Sequence, residues 1–445
     1  MLRIFDTADT IAAVLKRKPI DEFPVSDAMR NRTIATFGVD ISPQEAVRRI
    51  LRDVRERGDA ALLEWTERLD HVRLEPDAIA VRDSDIAAAY DQVDSEVIAS
   101  LEHAAERIKA FHASQPLHSW MSTDMGGMLG QLIRPLEGVG IYIPGGSAPL
   151  ASSLLMTALP ARAAGVSEIA VCTPPDRSTG LVAPITLVAA DITDVDVVYA
   201  VGGAQAIGAL AYGTESIARV DKICGPGNTF VVLAKKEVFG TVGIDALPGP
   251  TETVVIADET ANPAWVAADM LAQAEHTGGT SILITPSRQV ARAVDQHLQA
   301  QIANLGNKAD ILESFERRSA AVVTTDLQRA IAYADDFAPE HLCLSVRDPW
   351  SWVGKIHNAG GIFVGENSYE VLGDYVAGPS HVMPTGGTAR FTSPCNVLDF
   401  VRVTNVIALD EETAQQIGPY AIKLAQAEGL DAHAAAVRIR QNNRV

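Results

Sequence analysis

The stretch GPTETVVIADETANPAWVAADMLAQAEHTGG, residues 249–279, decides the fold expected for the rest of the chain. Its residues 253–257 are β-branched and apolar, which predicts a buried strand. Asn262 followed by Pro263 is a typical helix start, and the glycine pair 278–279 predicts the helix end. The stretch is therefore expected to form one strand and one helix of a βα unit.

Gln273 and His276 stand at the end of the expected helix. Because they are three positions apart, they share one helix face and are expected to point out of its last turn. An imidazole nitrogen and an amide oxygen can both bind a divalent metal ion, although glutamine is a weak ligand. A polar helix end that faces solvent explains the same pair. The pattern by itself leaves both interpretations open.

Length, composition and charge indicate a globular protein of several domains. The chain has 445 residues, of which 47% are hydrophobic and 21% charged, and this length favours two or three domains. Its net charge of −19 disfavours nucleic acid or an anionic membrane as partners. We therefore expect small molecules and further copies of the chain as its partners.

The sequence carries no evident targeting or disulfide signal. The N-terminal segment MLRIFDTADT has early acidic residues and no apolar core, unlike a secretory signal. The longest apolar runs are too short to span a membrane. Four cysteines stand far apart without a CxxC pair, which argues against a zinc ribbon or a disulfide framework. We therefore expect a cytoplasmic protein with reduced cysteines.

The order of helical and β-branched segments predicts an α/β fold. Residues 1–120 are rich in helix patterns, one of which begins at Ser42 with a capping-box glutamate three residues later. From residue 129 onward, short β-branched runs alternate with alanine-rich helices, which is typical of parallel sheets. Such sheets bind ligands beyond the carboxyl ends of their strands. The strand pattern is expected to fade from residue 388, and residues 411–440 are expected to be helical.

Three glycine-bearing strand ends could hold a nucleotide, although no GxGxxG fingerprint follows any expected strand. They are YIPGGSAPL with Tyr142, VGGAQAIGAL with Gln205 and GPGN with Asn228. Glycine lets backbone N–H groups approach a pyrophosphate, and the three polar side chains could contact the nucleoside. Each segment could equally be a tight turn from strand to helix.

Glu340 and His341 lie side by side in the segment FAPEHL, just before an expected strand. A carboxylate beside an imidazole can act as an acid–base pair near neutral pH, and loop edges commonly expose catalytic groups. A pair of ordinary surface residues is the alternative interpretation.

Two later segments add possible metal ligands. GDYVAGPSHVMPTGG places Asp374 on a glycine-rich loop, and AEGLDAHAAA places Glu428 and His433 near the end of the chain. Asp374 and His433 would complete a four-ligand set with the two candidates of the first stretch. His381, in the first of these segments, is a competing ligand. Spacing alone does not show which of them meet.

Eight motifs together resemble the histidinol dehydrogenase family, whose enzymes end histidine biosynthesis. They occur in the family's order and spacing: YIPGGSAPL, VGGAQAI, DKICGPGN, GPTE, QAEH, APEHL, GDYVAGPSHVMPTGG and AEGLDAH. The resemblance covers nearly the whole chain. It implies a zinc-dependent, NAD-linked, four-electron oxidation of the amino alcohol L-histidinol to L-histidine by way of bound L-histidinal.

The resemblance also implies roles for individual residues. Glu340 and His341 correspond to the family's catalytic bases. Four residues correspond to its zinc ligands: Gln273, His276, Asp374 and His433. Three correspond to its NAD contacts: Tyr142, Gln205 and Asn228. Seven correspond to its contacts with the substrate: Thr251, Gln273, His276, His341, Asp374, Glu428 and His433.

The mechanism that the resemblance implies agrees with the chemistry of these side chains. His341 would take the proton of the alcohol, and Glu340 would deprotonate the water that attacks the aldehyde. Zinc has no redox chemistry, and its implied task is to hold the substrate's imidazole and amine. Cobalt and manganese accept the same nitrogen and oxygen ligands.

Two departures from the family pattern concern the substrate. The family usually reads AGPSE where this chain has PGPTE, so Thr251 replaces a serine and Pro248 an alanine. Thr277 replaces the usual acidic residue after QAEH. A relative that oxidises another small polyol, such as a sulfonated diol, is therefore an alternative. A metal hydrolase that uses Glu340 and a silent zinc- or nucleotide-binding protein are the others.

The fold class that follows is α/β: two Rossmann-like parallel-sheet domains without the GxGxxG fingerprint, with small helical N- and C-terminal extensions. The expected boundaries are an extension at 1–35, a catalytic domain of 36–125 and 249–387, an NAD-binding domain at 126–248 and a tail at 388–445. The tail is too small to hold a core of its own and must dock. The resemblance implies that it reaches across a homodimer with shared active sites.

Overall fold

Two parallel β-sheets organise the first of the two units into which the chain divides. The structure is a computed structural model, and it describes residues 1–17, 27–145, 149–306 and 308–441. The first unit joins Met1–Ser114 to Glu137–Phe400, and the second joins Gln115–Leu136 to the chain from Val401. The predicted α/β class with two parallel sheets is confirmed.

The strands belong to three sheets. Their bounds are β1 (Ile4–Phe5), β2 (Trp120–Ser122), β3 (Met128–Pro135), β4 (Gly138–Tyr142), β5 (Glu168–Cys172), β6 (Val197–Tyr199), β7 (Lys222–Cys224), β8 (Gly243–Ile244), β9 (Glu252–Ala257), β10 (Thr280–Thr285), β11 (Ala320–Val323), β12 (His341–Ser345), β13 (Gly361–Val364) and β14 (Val401–Ala408). The larger parallel sheet has the order β1-β11-β10-β9-β12-β13, and the smaller has the order β6-β5-β4-β7-β8. In the second unit, β14-β3-β2 form an antiparallel sheet.

Helices connect the parallel strands and complete the second unit. Their bounds are α1 (Ala8–Leu15), α2 (Asp27–Phe37), α3 (Pro43–Arg57), α4 (Asp59–Asp70), α5 (Asp83–Tyr90), α6 (Ser95–Ala113), α7 (Ala151–Ala164), α8 (Pro184–Ile192), α9 (Gly203–Tyr212), α10 (Thr229–Val238), α11 (Pro263–Ala274), α12 (Arg288–Gln301), α13 (Lys308–Arg317), α14 (Leu327–Phe337), α15 (Trp350–Val353), α16 (Glu370–Tyr375), α17 (Glu411–Ala427) and α18 (Asp431–Gln441). None of the described helices is both long and apolar enough to cross a membrane.

The helix starts predicted from capping residues are confirmed. Ser42 precedes α3, and its hydroxyl accepts the N–H of Glu45 at 3.2 Å. Asn262 precedes α11, and its Oδ1 accepts the N–H of Ala264 at 3.0 Å. These side chains satisfy N–H groups that a helix start leaves without a partner, so they fix where each helix begins.

Helices α3 and α4, which precede the smaller sheet in the chain, pack on its helix α9. Ile50 of α3 and Leu62 of α4 join Leu210 of α9 in one core, and all three are at most 2% exposed. The apolar face of α3 meets the equally apolar α9, whose sequence GAQAIGALAY has no charged residue. The expected grouping of residues 36–125 with 249–387 stays a prediction.

Both ends of the chain carry the expected helices, α1 and α2 at the N-terminus and α17 and α18 at the C-terminus, together with an unexpected strand at each end. At the N-terminus, β1 adds an edge strand to the larger sheet through its pairing with β11. Near the C-terminus, β14 forms an eight-residue strand where the sequence analysis expected no strand beyond residue 388. That strand pairs with β3 and is mostly exposed, so it lacks the apolar alternation by which a half-buried strand is recognised.

Candidate functional site

The predicted catalytic residues lie at the amino edge of the larger sheet. Thr251 directly precedes β9, Glu340 directly precedes β12, and His341 is the first residue of β12. Because β9 and β12 are neighbours and His341 pairs with Thr253, the starts of the two strands lie side by side. The sequence analysis expected ligand sites at the carboxyl ends of parallel strands, and on this sheet the candidates lie at the opposite ends.

Glu340 is a buried carboxyl group held by two hydrogen-bond donors. Its Oε2 accepts from the Thr251 hydroxyl at 2.5 Å and from the backbone N–H of Glu252 at 3.0 Å. Burial raises the pKa of Glu340 to about 7, and the nearby His341 and the Thr251 hydrogen bond limit that rise. A carboxyl group with such a pKa can exchange a proton near neutral pH.

His341 presents an unpaired ring nitrogen at the same place. Its Nδ1 lies 3.2 Å from the backbone carbonyl oxygen of Glu252. A carbonyl oxygen can only accept, so the proton of the neutral ring is on Nδ1. Within the described chain, Nε2 is buried without a hydrogen-bond partner. Nε2 is therefore a proton acceptor, and it belongs to a buried side chain rather than to an exposed loop edge as the sequence suggested.

Glu370 is a further buried carboxyl group, which the sequence analysis missed. Its Oε1 lies 3.7 Å from His341 Nδ1, and its Oε2 accepts from the Thr253 hydroxyl. Burial, and then the charge of Asp374, raise the pKa of Glu370 well above its ordinary range. Glu370 and Asp374 are four residues apart on α16. Two acids at that helical spacing before a glycine-rich loop are the signal that could have found Glu370.

The structure corrects the expected geometry of Gln273 and His276. Helix α11 ends at Ala274, so Gln273 belongs to its last turn while His276 lies beyond it. Gln273 is fully buried, and His276 is exposed. The chain leaves the helix before the glycine pair because a turn forms there, in which Gly279 donates its N–H to the His276 carbonyl at 2.8 Å. The two side chains therefore do not share a helix face.

The side-chain amide of Gln273 has hydrogen-bond partners on its oxygen but none on its nitrogen. Its Oε1 accepts from the Thr253 hydroxyl at 3.0 Å and from the Thr251 hydroxyl at 3.4 Å. Its Nε2 is buried and has no partner among the residues that the structure describes. Amide oxygen and nitrogen are assigned from their partners, and a threonine hydroxyl suits either of them. Turned by half a rotation, the amide presents oxygen to the unpartnered side, as a metal ligand must.

The charges around this amide also suit a cation. Asp374 Oδ1 lies 3.8 Å from His341 Nε2, and the charge of Asp374 raises the pKa of Glu370. A cation placed among carboxyl groups that repel one another relieves that repulsion. In the described parts of the chain, no group of three or more His, Cys, Asp or Glu side chains is arranged to hold a metal ion. Three of the predicted metal ligands belong to the first unit: Gln273, His276 and Asp374.

His381 has both ring nitrogens engaged. Its Nδ1 donates to the backbone carbonyl of Asp374 at 2.6 Å, and its Nε2 accepts from the Ser153 hydroxyl at 3.0 Å. Burial lowers the pKa of His381, Asp374 raises it, and His341 and His276 lower it further. The contact of His381 with Asp374, and the 3.8 Å between Asp374 Oδ1 and His341 Nε2, place these three residues together. With neither nitrogen free, His381 does not compete as a metal ligand in this arrangement.

The remaining two candidates belong to the second unit. Glu428 directly follows α17, and His433 lies in the first turn of α18. The two helices pack on each other, and the carbonyl of Leu430 accepts the N–H of His433 at 3.1 Å. Both candidate side chains are exposed, so they are accessible on the surface of this unit.

A cavity of about 630 Å³ lies at the carboxyl edge of the smaller sheet. Tyr142 is the last residue of β4, and Asn228 caps α10 after β7. Both line the cavity together with Gly203, whose N–H donates to the Tyr142 hydroxyl at 3.2 Å. This cavity lies where parallel sheets usually bind ligands, beyond the carboxyl ends of their strands. The candidates on the larger sheet lie at the amino ends instead.

Gln205 lies behind the wall of this cavity rather than on it. It is fully buried, and its Nε2 donates to the Asp70 carboxylate at 3.3 Å. Asp70 lines the cavity, as do Arg32, Asp176 and Arg177, and burial raises the pKa of Asp70. None of these four charged residues belongs to a glycine-bearing motif, so the motifs of the sequence do not identify them.

Comparisons with known proteins identify the family. The family model of histidinol dehydrogenase matches residues 39–441. The chain is 51% identical over 441 residues to a histidinol dehydrogenase of Deinococcus radiodurans, covering 99% of this chain and 100% of the relative. It is 48% identical over 424 residues to one of Moorella thermoacetica, covering 95% and 99%. The crystal structure of histidinol dehydrogenase from Elizabethkingia anophelis matches with a TM-score of 0.90 and 35% identity, covering 99% of this chain and 98% of that one. The chain therefore belongs to the histidinol dehydrogenase family of oxidoreductases.

Proposed function

We propose that this chain oxidises L-histidinol to L-histidine by way of bound L-histidinal, with NAD as hydride acceptor and a zinc ion in the site. Membership of the family supports the proposal. One observation carries it: Glu340 and His341 are adjacent buried bases of different kinds. Glu340 has a pKa of about 7, and His341 has an unpaired Nε2. Two such bases suit a reaction with two different proton transfers.

His341 acts in the first oxidation. A hydride leaves an alcohol carbon only as the hydroxyl group loses its proton, so a base must accept that proton. The Nδ1–H of His341 is held by the Glu252 carbonyl, which directs the lone pair of Nε2 to the substrate. NAD takes up the hydride in each of the two oxidations, so one substrate molecule consumes two molecules of NAD.

Glu340 acts in the second oxidation. Water must add to the aldehyde and lose a proton before a second hydride can leave the same carbon. The ionised carboxylate of Glu340 accepts that proton, and its pKa of about 7 keeps part of it ionised at neutral pH. Thr251 and the N–H of Glu252 hold Oε2 and so keep the carboxylate in place.

The residues proposed to hold zinc are Gln273, His276 and Asp374 of one subunit and His433 of the partner subunit. Zinc would supply a positive charge that binds the imidazole and amine of the substrate. Asp374 Oδ1 lies 3.8 Å from His341 Nε2, so a substrate held at Asp374 would lie beside the base.

The cavity at the carboxyl edge of the smaller sheet is proposed to hold NAD. Tyr142 and Asn228 line it and can contact the nucleoside. Asp70 offers a carboxylate to ribose hydroxyl groups, and its position is fixed by Gln205 behind it. The wall also carries Arg32, Arg177 and the carboxylate of Asp176. The two arginines and the start of α10 are proposed to bind the negatively charged pyrophosphate.

A cytoplasmic homodimer with shared active sites is part of the proposal. In the second unit, Trp120, Ile407 and Tyr420 are 52%, 75% and 70% exposed, and a partner subunit would bury such apolar side chains. In the resembling family the tail reaches across a two-fold dimer. Each site would then combine the candidates of the first unit with Glu428 and His433 of the partner subunit, in a swap that closes under two-fold symmetry.

Mixed dimers test the shared site. His341→Ala and His433→Ala chains, each inactive alone, are co-expressed with different tags, and the mixed dimers are isolated. If the tail acts across the dimer, every mixed dimer has one intact site of two. The unfractionated mixture should then regain up to about a quarter of wild-type activity, and the isolated mixed dimers about half. Inactive mixed dimers contradict the swap.

The chemical proposal is tested by the products formed from L-histidinol and NAD. Two NADH per L-histidinol, with L-histidine as the product, are expected. A panel of small diols, including sulfonated ones, is measured in parallel because Thr251 and Thr277 depart from the family pattern. Turnover of a diol but not of L-histidinol would favour the polyol-oxidising relative, and turnover of a hydrolysable substrate without NAD would favour the hydrolase.

A further inference from the structure

A fully buried ion pair lies beneath the glycine loop of the cofactor cavity. Lys235 of α10 has no exposed surface, and its ammonium group pairs with Asp245, which follows β8. The Asp245 side chain is itself only 6% exposed. Taking two charges out of water costs about as much as their attraction returns, and apolar residues often stabilise such a place better. Stability alone therefore does not explain this pair.

Both members of the pair bind the backbone of Gly225. Lys235 Nζ donates to the Gly225 carbonyl at 2.9 Å, and the Gly225 N–H donates to Asp245 Oδ2 at 2.7 Å. The other oxygen of Asp245 accepts the N–H of Ala246 at 2.6 Å. Gly225 is the first residue after β7, so the ion pair fixes the point at which this strand turns into the loop GPGN.

The backbone of Gly225 is also confined by the backbone of Tyr142. It has a φ of +106°, and a Cβ atom at this position would lie 2.2 Å from the Tyr142 carbonyl oxygen. The loop ends at Asn228, whose Oδ1 accepts the N–H of Phe230 at 2.9 Å in the first turn of α10. Strand β7, the loop 225–228 and helix α10 thus form one closed frame. The frame is closed because Lys235 on α10 donates a hydrogen bond back to Gly225 at the start of the loop.

We propose that Lys235 and Asp245 are positioning residues that set the cofactor affinity of the cavity by fixing Gly225. Neither residue lines the cavity, whereas Tyr142 and Asn228 on either side of the frame do. A loop that is already fixed loses no further freedom when the cofactor binds, so the ordering cost is absent from the binding free energy. The inference rests on the proposed function, in which this cavity holds NAD.

The test is a double substitution that removes both charges, Lys235→Met with Asp245→Leu. Apolar residues of similar volume commonly replace a buried ion pair without loss of stability, so the fold survives while Gly225 loses both hydrogen bonds. Fluorescence titration with NADH should give a Kd about tenfold or more above the wild-type value. The KM for NAD should rise in parallel, while the KM for L-histidinol stays unchanged.

A matched control lies on β7, the strand that leads into Gly225. Lys222 of β7 pairs with Asp399 at 3.1 Å, and both side chains are largely buried. This pair does not bind the loop, since Lys222 donates to the carbonyl and the carboxylate of Asp399. Lys222→Met with Asp399→Leu should therefore bind NADH as the wild type does.

The outcomes separate the inference from the function on which it rests. If the Lys235→Met, Asp245→Leu protein has the melting temperature and the NADH affinity of the wild type, the inference is wrong and the proposed function still stands. If that protein does not fold, Lys235→Met decides, because it removes the donor to the Gly225 carbonyl while Asp245 keeps its two backbone N–H donors. Unchanged NADH affinity in Lys235→Met then overturns the inference. A wild-type protein that does not bind NADH overturns the proposed cofactor and the inference together.

Discussion

The two parallel sheets of the first unit carry their candidate sites at opposite edges. On the smaller sheet, Tyr142 is the last residue of β4, and Asn228 lies beyond the carboxyl end of β7. On the larger sheet, Glu340 and His341 lie at the amino end of β12. Both sheets are parallel, yet the candidate site lies beside helix starts on the smaller sheet and beside a helix end on the larger one.

The helix ends explain why the two edges suit different ligands. Helix α10 starts directly after Asn228, and a helix N-terminus carries partial positive charge that favours a pyrophosphate. Helix α11 ends one residue after Gln273, and a helix C-terminus carries partial negative charge that favours a cation. If the proposed ligands bind at these two places, the edge of each parallel sheet determines whether an anion or a cation is favoured.

The largest effect should follow from removing the proposed metal ligand that lies outside the helix. His276→Ala should lower activity by roughly a thousandfold or more and remove the bound metal, since a ligand and the substrate's anchor are lost together. Its melting temperature without metal should match that of the wild type, because His276 is exposed. Metal content and NADH formation are the measurements. His297→Ala, an exposed histidine on α12, is the control and should change neither.

Replacing Glu340 should separate the two oxidations. Glu340→Gln keeps the size of the side chain but removes the base, so oxidation of L-histidinal should slow by about a hundredfold or more. Oxidation of L-histidinol to the aldehyde should slow much less, and His341→Asn should show the reverse preference. Single-turnover rates with each substrate measure this. Equal losses in both steps would contradict the roles assigned to the pair.

The pH dependence of the second oxidation should report the pKa of Glu340. Burial raises this pKa to about 7, and only the ionised form is a base. The rate with L-histidinal should therefore fall about tenfold for each pH unit below that value. Thr251→Val should move the midpoint upward because the Thr251 hydrogen bond lowers the pKa, whereas Thr251→Ser should leave it in place. Identical profiles for both variants would exclude Thr251 as the donor that matters.

The smallest effect on ligand binding is expected at the carboxyl edge of the smaller sheet. Two glycines of similar backbone conformation allow it to be measured. Gly225 and Gly240 have φ values of +106° and +100°, but only at Gly225 would a Cβ atom collide, with the Tyr142 carbonyl. Either change to alanine should cost about 1–3 kcal/mol of backbone strain. Only Gly225→Ala should also weaken NADH binding, by several-fold. Thermal unfolding and NADH titration of both variants are the measurements, and equal NADH affinities would show that the loop does not shape the cavity.

The sequence predicts those features that depend on neighbouring residues. Ser42 and Asn262 mark helix starts because a cap needs only the next few N–H groups. His276 was assigned to the helix, yet the helix ends at Ala274, since the turn that precedes the glycine pair depends on how the chain enters β10. The strand Val401–Ala408 was missed because its partner is 266 or more residues away and its side chains are mostly exposed.

The candidate sites show the same limit. The motifs identify Glu340 and His341, but their placement at an amino edge depends on the pairing of β9 with β12. Gln205 carries a motif yet lies behind Asp70, which carries none, because the contact joins residues 135 positions apart. Family motifs thus name the residues, and the packing of the sheets decides which of them can reach a ligand.

The central claim is that the cofactor and the cation occupy separate edges of two sheets, and binding of NADH to metal-free protein tests it most directly. The wild-type chain is stripped of metal, its metal content is measured, and NADH is titrated by fluorescence before and after zinc is restored. Independent sites predict Kd values that agree within about twofold. Loss of NADH binding in the metal-free protein would show that one site holds both ligands and would contradict the account.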